Sequence, residues 1–173
     1  MTIFPVGSDN ITNDIAIGLR TELDIAEKVK KEFGSCIPTK GKRTERLELP
    51  DGPPLLVSQK ALVHIIEARM REIFQLINRE LRRIGKQGNL PAGIILTGGG
   101  AKLSKIAEFA KKELKLPVKI GTAQRIFNPQ EDSSLLCAMG LLTRGAEVQG
   151  YPAKKFRCFH VLQKLKKIFR IFI

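Results

Sequence analysis

The sequence predicts an α/β fold, and three observations support this prediction. Between about Ser58 and Ile84, apolar residues recur every three or four positions, which is the period of an amphipathic helix. The run IILTGGG at residues 94–100 is apolar and then turns on glycines. A helical pattern and the strand-like PVKIG follow it. A strand, a helix and a second strand in this order form a βαβ unit, so a parallel sheet is expected.

The first half of the chain is predicted to be mostly helical. Residues 1–7 are typical of a strand end that leads into a turn, and a first helix, capped by Asp9 or Thr12, should reach Leu19. The segment TELDIAEKVKKEFG predicts a second helix with Gly34 as its C-cap. The polar, basic residues that follow are interpreted as a loop, and RLELPDGPPLLVS as two short strands around a Pro/Gly turn.

The second half contains the long helix and the predicted βαβ unit. The core stripe of the long helix consists of Leu62, Ile66, Met70, Ile73, Ile77, Leu81 and Ile84. GKQGNLPAG breaks this helix, and IILTGGG is predicted to be a buried strand. AKLSKIAEFAKKELK predicts a helix of about fourteen residues, and SSLLCAMGLL a last short helix. GAEVQGYPA, from Gly145 to Ala153, is interpreted as a linker.

Composition excludes several classes of protein. The 173 residues are 43% hydrophobic, which is typical of a globular protein rather than a disordered one. Cys36, Cys137 and Cys158 show no metal-binding spacing, so they are interpreted as reduced thiols of a cytosolic protein. No N-terminal signal peptide is visible, and no apolar run reaches the ~20 residues of a membrane-spanning helix. Any membrane role is therefore expected to be peripheral.

The basic charge is concentrated at the C-terminal end. The net charge of +13 predicts an anionic partner, and seven of the 30 Lys and Arg residues follow Gly150 without any acidic residue. From Arg157 onward, at 100° per residue, most apolar side chains share an arc of roughly 120° and most basic ones lie opposite. Such a helix can lie in the headgroup plane of an acidic membrane. The predicted membrane-binding residues are Arg157, Val161, Leu162, Lys164, Leu165, Lys166, Lys167, Ile168, Phe169, Arg170 and Phe172.

Two other interpretations of this tail remain open. Its apolar stripe could dock on the protein's own core, or its basic face could bind nucleic acid. A single DNA-reading helix seldom exposes several large apolar side chains to solvent, so the membrane interpretation is favoured and no nucleic-acid partner is expected.

The glycine turn at residues 98–100 is a candidate nucleotide contact. Glycines at the carboxyl end of a strand allow the backbone to approach a phosphate or a base, and a following helix N-terminus adds partial positive charge. The turn is not a P-loop, because no Gly-Lys-Ser/Thr follows at the required spacing. It is not a dinucleotide fingerprint either, because Leu103 stands where the third glycine belongs. The alternative is a tight strand-to-helix turn without a ligand.

Three stretches together carry a family resemblance. PVGSDNITNDIAIGLRT, then AEKVKKEFG, then GIILTGGGAKLSKIAEFAKKEL with LPVKIG, resemble in order and spacing the C-terminal half of FtsA. The FtsA family consists of actin-like bacterial proteins that tether the division ring to the membrane. The resemblance covers essentially the whole chain.

The resemblance implies a partial actin-like ATPase fold with a C-terminal amphipathic helix. Residues 1–22 and 93–145 would form an incomplete subdomain IIA, and residues 23–92 the inserted subdomain IIB. Residues 146–153 would be a linker, and residues 154–173 the amphipathic membrane-targeting helix. The tail pattern and the resemblance therefore agree.

The resemblance also implies half of an ATP site. In the family, ATP lies in a cleft between two lobes. The residues implied to contact its nucleoside end are Glu27, Lys30 and Lys31 on one helix, and Gly98, Gly99 and Gly100 in the glycine turn. Glu27 and Lys30 are three residues apart and so share a helix face, although an ordinary solvated ion pair is the alternative.

Departures from the family pattern limit the predicted chemistry. The chain lacks the first lobe and both phosphate loops, and Ser8 stands where the family usually has a second glycine. The resemblance therefore predicts no catalytic residue and no metal ligand here, with Mg²⁺ held only by a complete fold. We expect no ATP hydrolysis by this polypeptide alone, because phosphate positioning and charge neutralisation supply most of phosphoryl-transfer catalysis. The chain is interpreted as a truncation, a split-gene product or a short form.

The resemblance further implies a role on the cytoplasmic face of the bacterial inner membrane, at the division site. The implied partners are acidic lipids, other copies of the chain, and the C-terminal peptide of the tubulin-like protein FtsZ, which subdomain IIB would receive. The basic residues on or near the long helix are Lys60, Arg69, Arg71, Arg79, Arg82 and Arg83. Alternatives are one chain of a split actin-superfamily kinase, or an MreB-like cytoskeletal protein.

Overall fold

The computed structural model describes residues 1–38, 44–49, 53–121 and 133–149 of the chain. Within these residues the elements follow the predicted order, except that the strand end predicted at residues 1–7 is absent. They are α1 (Ser8–Leu19), α2 (Leu23–Phe33), β1 (Thr44–Leu47), β2 (Leu55–Ser58), α3 (Gln59–Arg83), β3 (Ile94–Leu96), α4 (Ile106–Leu114), β4 (Val118–Ile120) and α5 (Leu136–Val148). The chain divides into two compact units. The first contains the described residues of 1–96 and 100–120, and the second contains residues 97–99 and the described residues from 121 onward.

Helix α1 begins earlier than the sequence predicts. Its N-cap is Gly7, whose backbone N–H donates to Asn10 Oδ1 at 2.8 Å. Asp9 and Thr12 lie inside the helix, so neither is the cap. The helix ends at Leu19 as predicted, and Arg20 adopts the left-handed conformation that often closes a helix.

Helix α2 ends at Phe33, and Gly34 is its C-cap as predicted. The Gly34 backbone is extended rather than left-handed. Glycine is required there for a different reason. A Cβ on Gly34 would collide with the Lys30 carbonyl oxygen and lie 2.9 Å from Leu103 Cδ1. The chain after α2 therefore passes against the segment before α4 at a distance that only glycine permits.

The strands form two separate two-stranded sheets within the described residues. β1 and β2 are antiparallel, with Leu47 opposite Leu55, as the Pro/Gly turn predicts. β3 and β4 are parallel, with Ile94 opposite Val118, which confirms the predicted βαβ unit. The prediction that β3 is buried is wrong for Ile95, which is 66% exposed. One face of this sheet packs on the core, and no second layer covers the other face in the described part of the first unit.

Helix α3 is the organising element of the first unit. It runs over the predicted span and is capped by Ser58, whose side chain accepts from the Ala61 N–H at 3.5 Å. Its buried residues include Leu62, Ile66 and Met70 of the predicted core stripe. Phe74 is also buried, although it was not part of the predicted stripe. Phe74 contacts Phe109 of α4 with ring centroids 6.0 Å apart.

Helix α4 is shorter than the predicted helix of about fourteen residues. A 3₁₀ turn at Gly99–Lys102 precedes it, and Lys105 adopts a left-handed conformation with φ of 62°. The Ser104 carbonyl accepts from the Cys36 N–H at 2.9 Å instead of continuing the helix. A tertiary hydrogen bond therefore interrupts a segment whose apolar period is continuous.

The second unit contains α5, which is longer than predicted. It continues through residues 146–148, which the sequence assigns to the linker. Met139 is buried, whereas Leu141 and Leu142 are exposed. The predicted membrane-targeting helix at residues 154–173 and linker residues 150–153 lie outside the described residues.

Candidate functional site

A buried lysine joins α1 to α2. The Lys30 side chain of α2 is only 8% exposed, and its Nζ lies 2.5 Å from Glu27 Oε2. The same Nζ donates to Thr12 Oγ1 at 2.7 Å, to Ser8 Oγ at 3.1 Å and to the Ser8 carbonyl oxygen at 3.2 Å. Thr12 Oγ1 in turn donates to Glu27 Oε2 at 2.6 Å. We call Ser8, Thr12, Glu27 and Lys30 the α1–α2 polar cluster.

The helical spacing of both segments produces this cluster. Ser8 and Thr12 are four residues apart on α1, and Glu27 and Lys30 are three apart on α2, so each pair shares a helix face. The buried apolar residues beside them hold the two helices together. These are Ile11 and Ile15 on α1 and Ala26 and Val29 on α2.

Some polar groups of the cluster have hydrogen-bonding capacity left for a ligand, and others do not. The Lys30 ammonium has three protons and four acceptors within 3.2 Å, so its donor capacity is used inside the protein. Among the described residues, Glu27 Oε1 has only Lys31 Nζ nearby, at 3.3 Å, and the Lys31 side chain is 70% exposed. The groups available to a ligand are therefore Glu27 Oε1, which accepts hydrogen bonds, and the Lys31 ammonium.

The cluster holds the Glu27 carboxyl in its charged form. Burial raises the pKa of Glu27, but hydrogen bonds from Lys30 and Thr12 and the positive charge of Lys30 outweigh this effect. With a further contribution from Lys31, the pKa of Glu27 lies below its ordinary value. A lowered pKa means that the ionised carboxyl stabilises the folded state.

This lowered pKa predicts a pH-dependent effect of Glu27→Gln. A group whose pKa falls on folding contributes stability above its unfolded pKa of about 4.3, and this contribution is lost as pH decreases through the folded pKa. We expect the variant to be less stable than the parent at pH 7 and the difference to shrink below pH 4. Urea denaturation across this range measures it. Glu32→Gln, at an exposed position on α2, is the control, and an equal pH profile for both variants would contradict the assignment.

The predicted glycines fall in both units, and each unit is described by itself. In the first unit, a Cβ on Gly100 would lie 3.9 Å from the Ser8 Cβ, so this glycine is next to the polar cluster. In the second unit, Gly98 has φ of 89°, which favours glycine, and its N–H donates to the Ser133 carbonyl oxygen at 3.2 Å. Ser133 Oγ also donates to the Gly98 carbonyl oxygen at 3.3 Å.

Of the residues predicted to contact nucleotide, the structure therefore brings Glu27, Lys30 and Lys31 together, with Gly100 next to the cluster. Thr12, which was predicted only as a possible helix cap, lies at the centre of the cluster. One sequence feature could have pointed to Thr12. It is a polar, β-branched residue four positions after Ser8, on the helix face that otherwise carries the buried Ile11 and Ile15. The predicted membrane-binding residues of the tail lie outside the described residues.

Half of the basic residues predicted on α3 have carboxylate partners. Arg69 donates two hydrogen bonds to Asp14 of α1, from Nε at 2.7 Å and from Nη2 at 2.9 Å, and this raises the already high pKa of Arg69. The other pairs are Arg71 with Glu67 and Arg83 with Glu80. In the described part of the chain, Lys60, Arg79 and Arg82 have no such partner, although Arg82 Nε donates to Gln87 Oε1 at 3.0 Å.

The described residues give no sign of a metal or redox centre. They contain no group of three or more His, Cys, Asp or Glu side chains that could hold an ion. Cys36 is buried and Cys137 exposed. Burial, with a smaller effect of the Glu67 charge, raises the pKa of Cys36 to about 12. None of the helices in this part of the chain is both long enough and apolar enough to span a membrane.

The fold belongs to the actin-like class. The structure superposes on that of MreB5 of Spiroplasma citri bound to ADP with a TM-score of 0.65, at 21% sequence identity, over 84% of this chain and 47% of that one. The same protein bound to AMPPNP gives a TM-score of 0.66 over 85% of this chain and 46% of that one. The mixed helices and sheets described above are thus part of an actin-like fold.

The chain belongs to the FtsA family of cell division proteins, whose family model matches residues 1–140. It is 37% identical over 122 residues to cell division protein FtsA of Pseudomonas aeruginosa, covering 69% of this chain and 29% of that protein. It is 38% identical over 162 residues to that of Neisseria meningitidis, covering 86% of this chain and 38% of that protein. The family resemblance seen in the sequence is confirmed. The chain spans about a third of the length of these relatives.

Proposed function

We propose that this chain acts in bacterial cell division by tethering division-ring filaments of FtsZ to the cytoplasmic face of the inner membrane. Membership of the FtsA family carries the proposal, because the relatives are cell division proteins. The basic amphipathic pattern of residues 157–172 supplies the membrane contact.

The physical chemistry of the tail supports reversible membrane binding. Each basic residue near an acidic leaflet contributes about 1 kcal/mol, and each large apolar side chain buried at the acyl boundary contributes roughly 1.5–3 kcal/mol before ordering costs. The tail has several of each and needs no spanning segment. A surface helix of this type lies in the interface rather than across the bilayer.

Removing the apolar character of the tail should therefore release the protein from membranes. We expect the full-length variant carrying Leu165→Asp and Phe169→Asp to lose most of its sedimentation with acidic vesicles, because both side chains lie on the predicted apolar arc. The control is Gln163→Asp with His160→Asp, which places the same number of acidic residues on the polar arc. If the apolar-arc variant pellets as completely as the parent protein, the tether proposal fails.

We further propose that the α1–α2 polar cluster contacts the nucleoside end of ATP when the family fold is complete. The open acceptor Glu27 Oε1 suits a ribose hydroxyl, and the exposed Lys31 suits the polar edge of a base. Lys30 would orient Glu27 rather than contact the nucleotide, because its protons are already shared with Ser8, Thr12 and Glu27. Without phosphate loops, the chain alone is proposed not to hydrolyse ATP, and magnesium-dependent turnover by the purified chain would overturn this.

An acidic peptide of FtsZ is the proposed partner for α3. Arg69, Arg71 and Arg83 are neutralised by neighbouring carboxylates, so Lys60 and Arg79 are the better candidates for contact. We expect Arg79→Glu to weaken peptide binding in calorimetry more than Arg83→Glu does. Equal effects of the two substitutions would argue against this assignment. Self-association into filaments is a further expectation from the family.

A further inference from the structure

Helix α4 carries a second basic surface, distinct from the tail. It exposes Lys111 and Lys112 on the helix and Lys115 at its C-cap. None of these three lysines has a carboxylate partner among the described residues. Glu113, which lies between these lysines in the sequence, belongs to another surface, because its Oε1 lies 3.6 Å from Arg71 Nε of α3. We call Lys111, Lys112 and Lys115 the α4 lysine face.

The α4 lysine face points away from the core. At 100° per residue, Glu108, Lys111 and Lys112 fall within about 100° of arc. The buried side chains of α4, Ile106, Phe109, Ala110 and Leu114, occupy the other side of the helix. The one acidic residue within the arc, Glu108, is partly neutralised by Lys105, whose Nζ lies 2.9 Å away. The face is therefore an accessible positive surface on a rigid element.

We propose that the α4 lysine face makes a second contact with acidic lipid headgroups, in addition to the tail. This inference rests on the proposed membrane role and extends it to a surface of the folded unit. The chemistry is that of a juxtamembrane polybasic cluster, in which each lysine strengthens binding to an anionic leaflet by about fivefold. A single-stranded nucleic acid is disfavoured because the aromatic side chain of α4, Phe109, is buried and cannot stack on a base.

The test compares two full-length variants with the same net charge. One carries Lys111→Glu, Lys112→Glu and Lys115→Glu. The control carries Lys28→Glu, Lys60→Glu and Lys86→Glu, at exposed lysines outside α4. Binding to vesicles of phosphatidylglycerol and phosphatidylethanolamine is measured at low and high salt, and far-UV circular dichroism establishes that both variants are folded. We expect the α4 variant to bind vesicles about 100-fold more weakly than the parent at low salt. The loss of binding in the control should be much smaller.

The outcomes are separable from those of the tail. Equal binding by the two triple variants would overturn the proposal and leave the lysines with the role of stabilising the helix C-terminus. The proposal would also be overturned if duplex DNA displaced the protein from vesicles, bound it more tightly than the vesicles do, and lost this binding in the α4 variant. The comparison is repeated in the Leu165→Asp, Phe169→Asp background. If those tail substitutions leave vesicle binding unchanged, the tail proposal fails while the α4 comparison still decides the α4 proposal.

Discussion

Phe109→Ala is expected to lower the free energy of unfolding by about 3–5 kcal/mol. Phe109 is 2% exposed and packs against Phe74 of α3, so its removal leaves a cavity where α4 meets the long helix. Typical domains are stable by only about 5–15 kcal/mol, so much of the stability would be lost. Urea denaturation followed by circular dichroism measures the change.

The control for this prediction is Leu56→Ala on β2, where the side chain is 66% exposed. This substitution also shortens a large apolar side chain, but it leaves no cavity, so a change within about 0.5 kcal/mol is expected. If both substitutions cost the same, the core of the first unit is not centred where the structure puts it.

Lys30→Met is expected to cost about 1–3 kcal/mol, because it removes the donor shared by Ser8 and Thr12 and the shorter of the two ion pairs that Glu27 makes. The cost stays below that of breaking a fully buried pair, since Glu27 is about one-third exposed and can be hydrated. Urea denaturation again provides the measurement. Lys31→Met is the matched control, and its exposed ion pair should be worth less than about 1 kcal/mol.

A double-mutant cycle would show whether the cluster acts as a unit. Thr12 Oγ1 accepts from Lys30 and donates to Glu27, so Thr12→Val and Lys30→Met should be non-additive by about 0.5–3 kcal/mol. Additive costs would show that the two side chains stabilise the fold independently.

The sequence predicts well what depends on local period and spacing. The apolar repeat of α3 determines its extent, and the three-residue spacing of Glu27 and Lys30 places them on one helix face. The order of strand, glycine turn, helix and strand determines the parallel pairing of β3 with β4. Each of these results follows from the order and spacing of residues along the chain.

What the sequence does not predict depends on contacts between distant segments. The Thr12 hydroxyl meets Glu27 only after α1 packs on α2, and Arg69 finds Asp14 across 55 residues. The break before α4 arises because Ser104 bonds to Cys36, although the apolar pattern continues through it. The exposure of Ile95 depends on which layers cover the sheet, and a strand's own sequence does not state this.

Because Cys36 is buried, its chemical modification can report how often the core of the first unit opens. Burial raises the pKa of the Cys36 thiol to about 12, so the thiol is un-ionised at pH 7, and its side chain is almost completely shielded from solvent. An alkylating reagent can therefore reach it only in molecules that have opened around α2 and α4. The rate of modification at this position counts such openings directly, whereas the exposed Cys137 reacts in the closed molecule. Thiol modification of Cys36 would therefore measure local opening of the first unit without any added label.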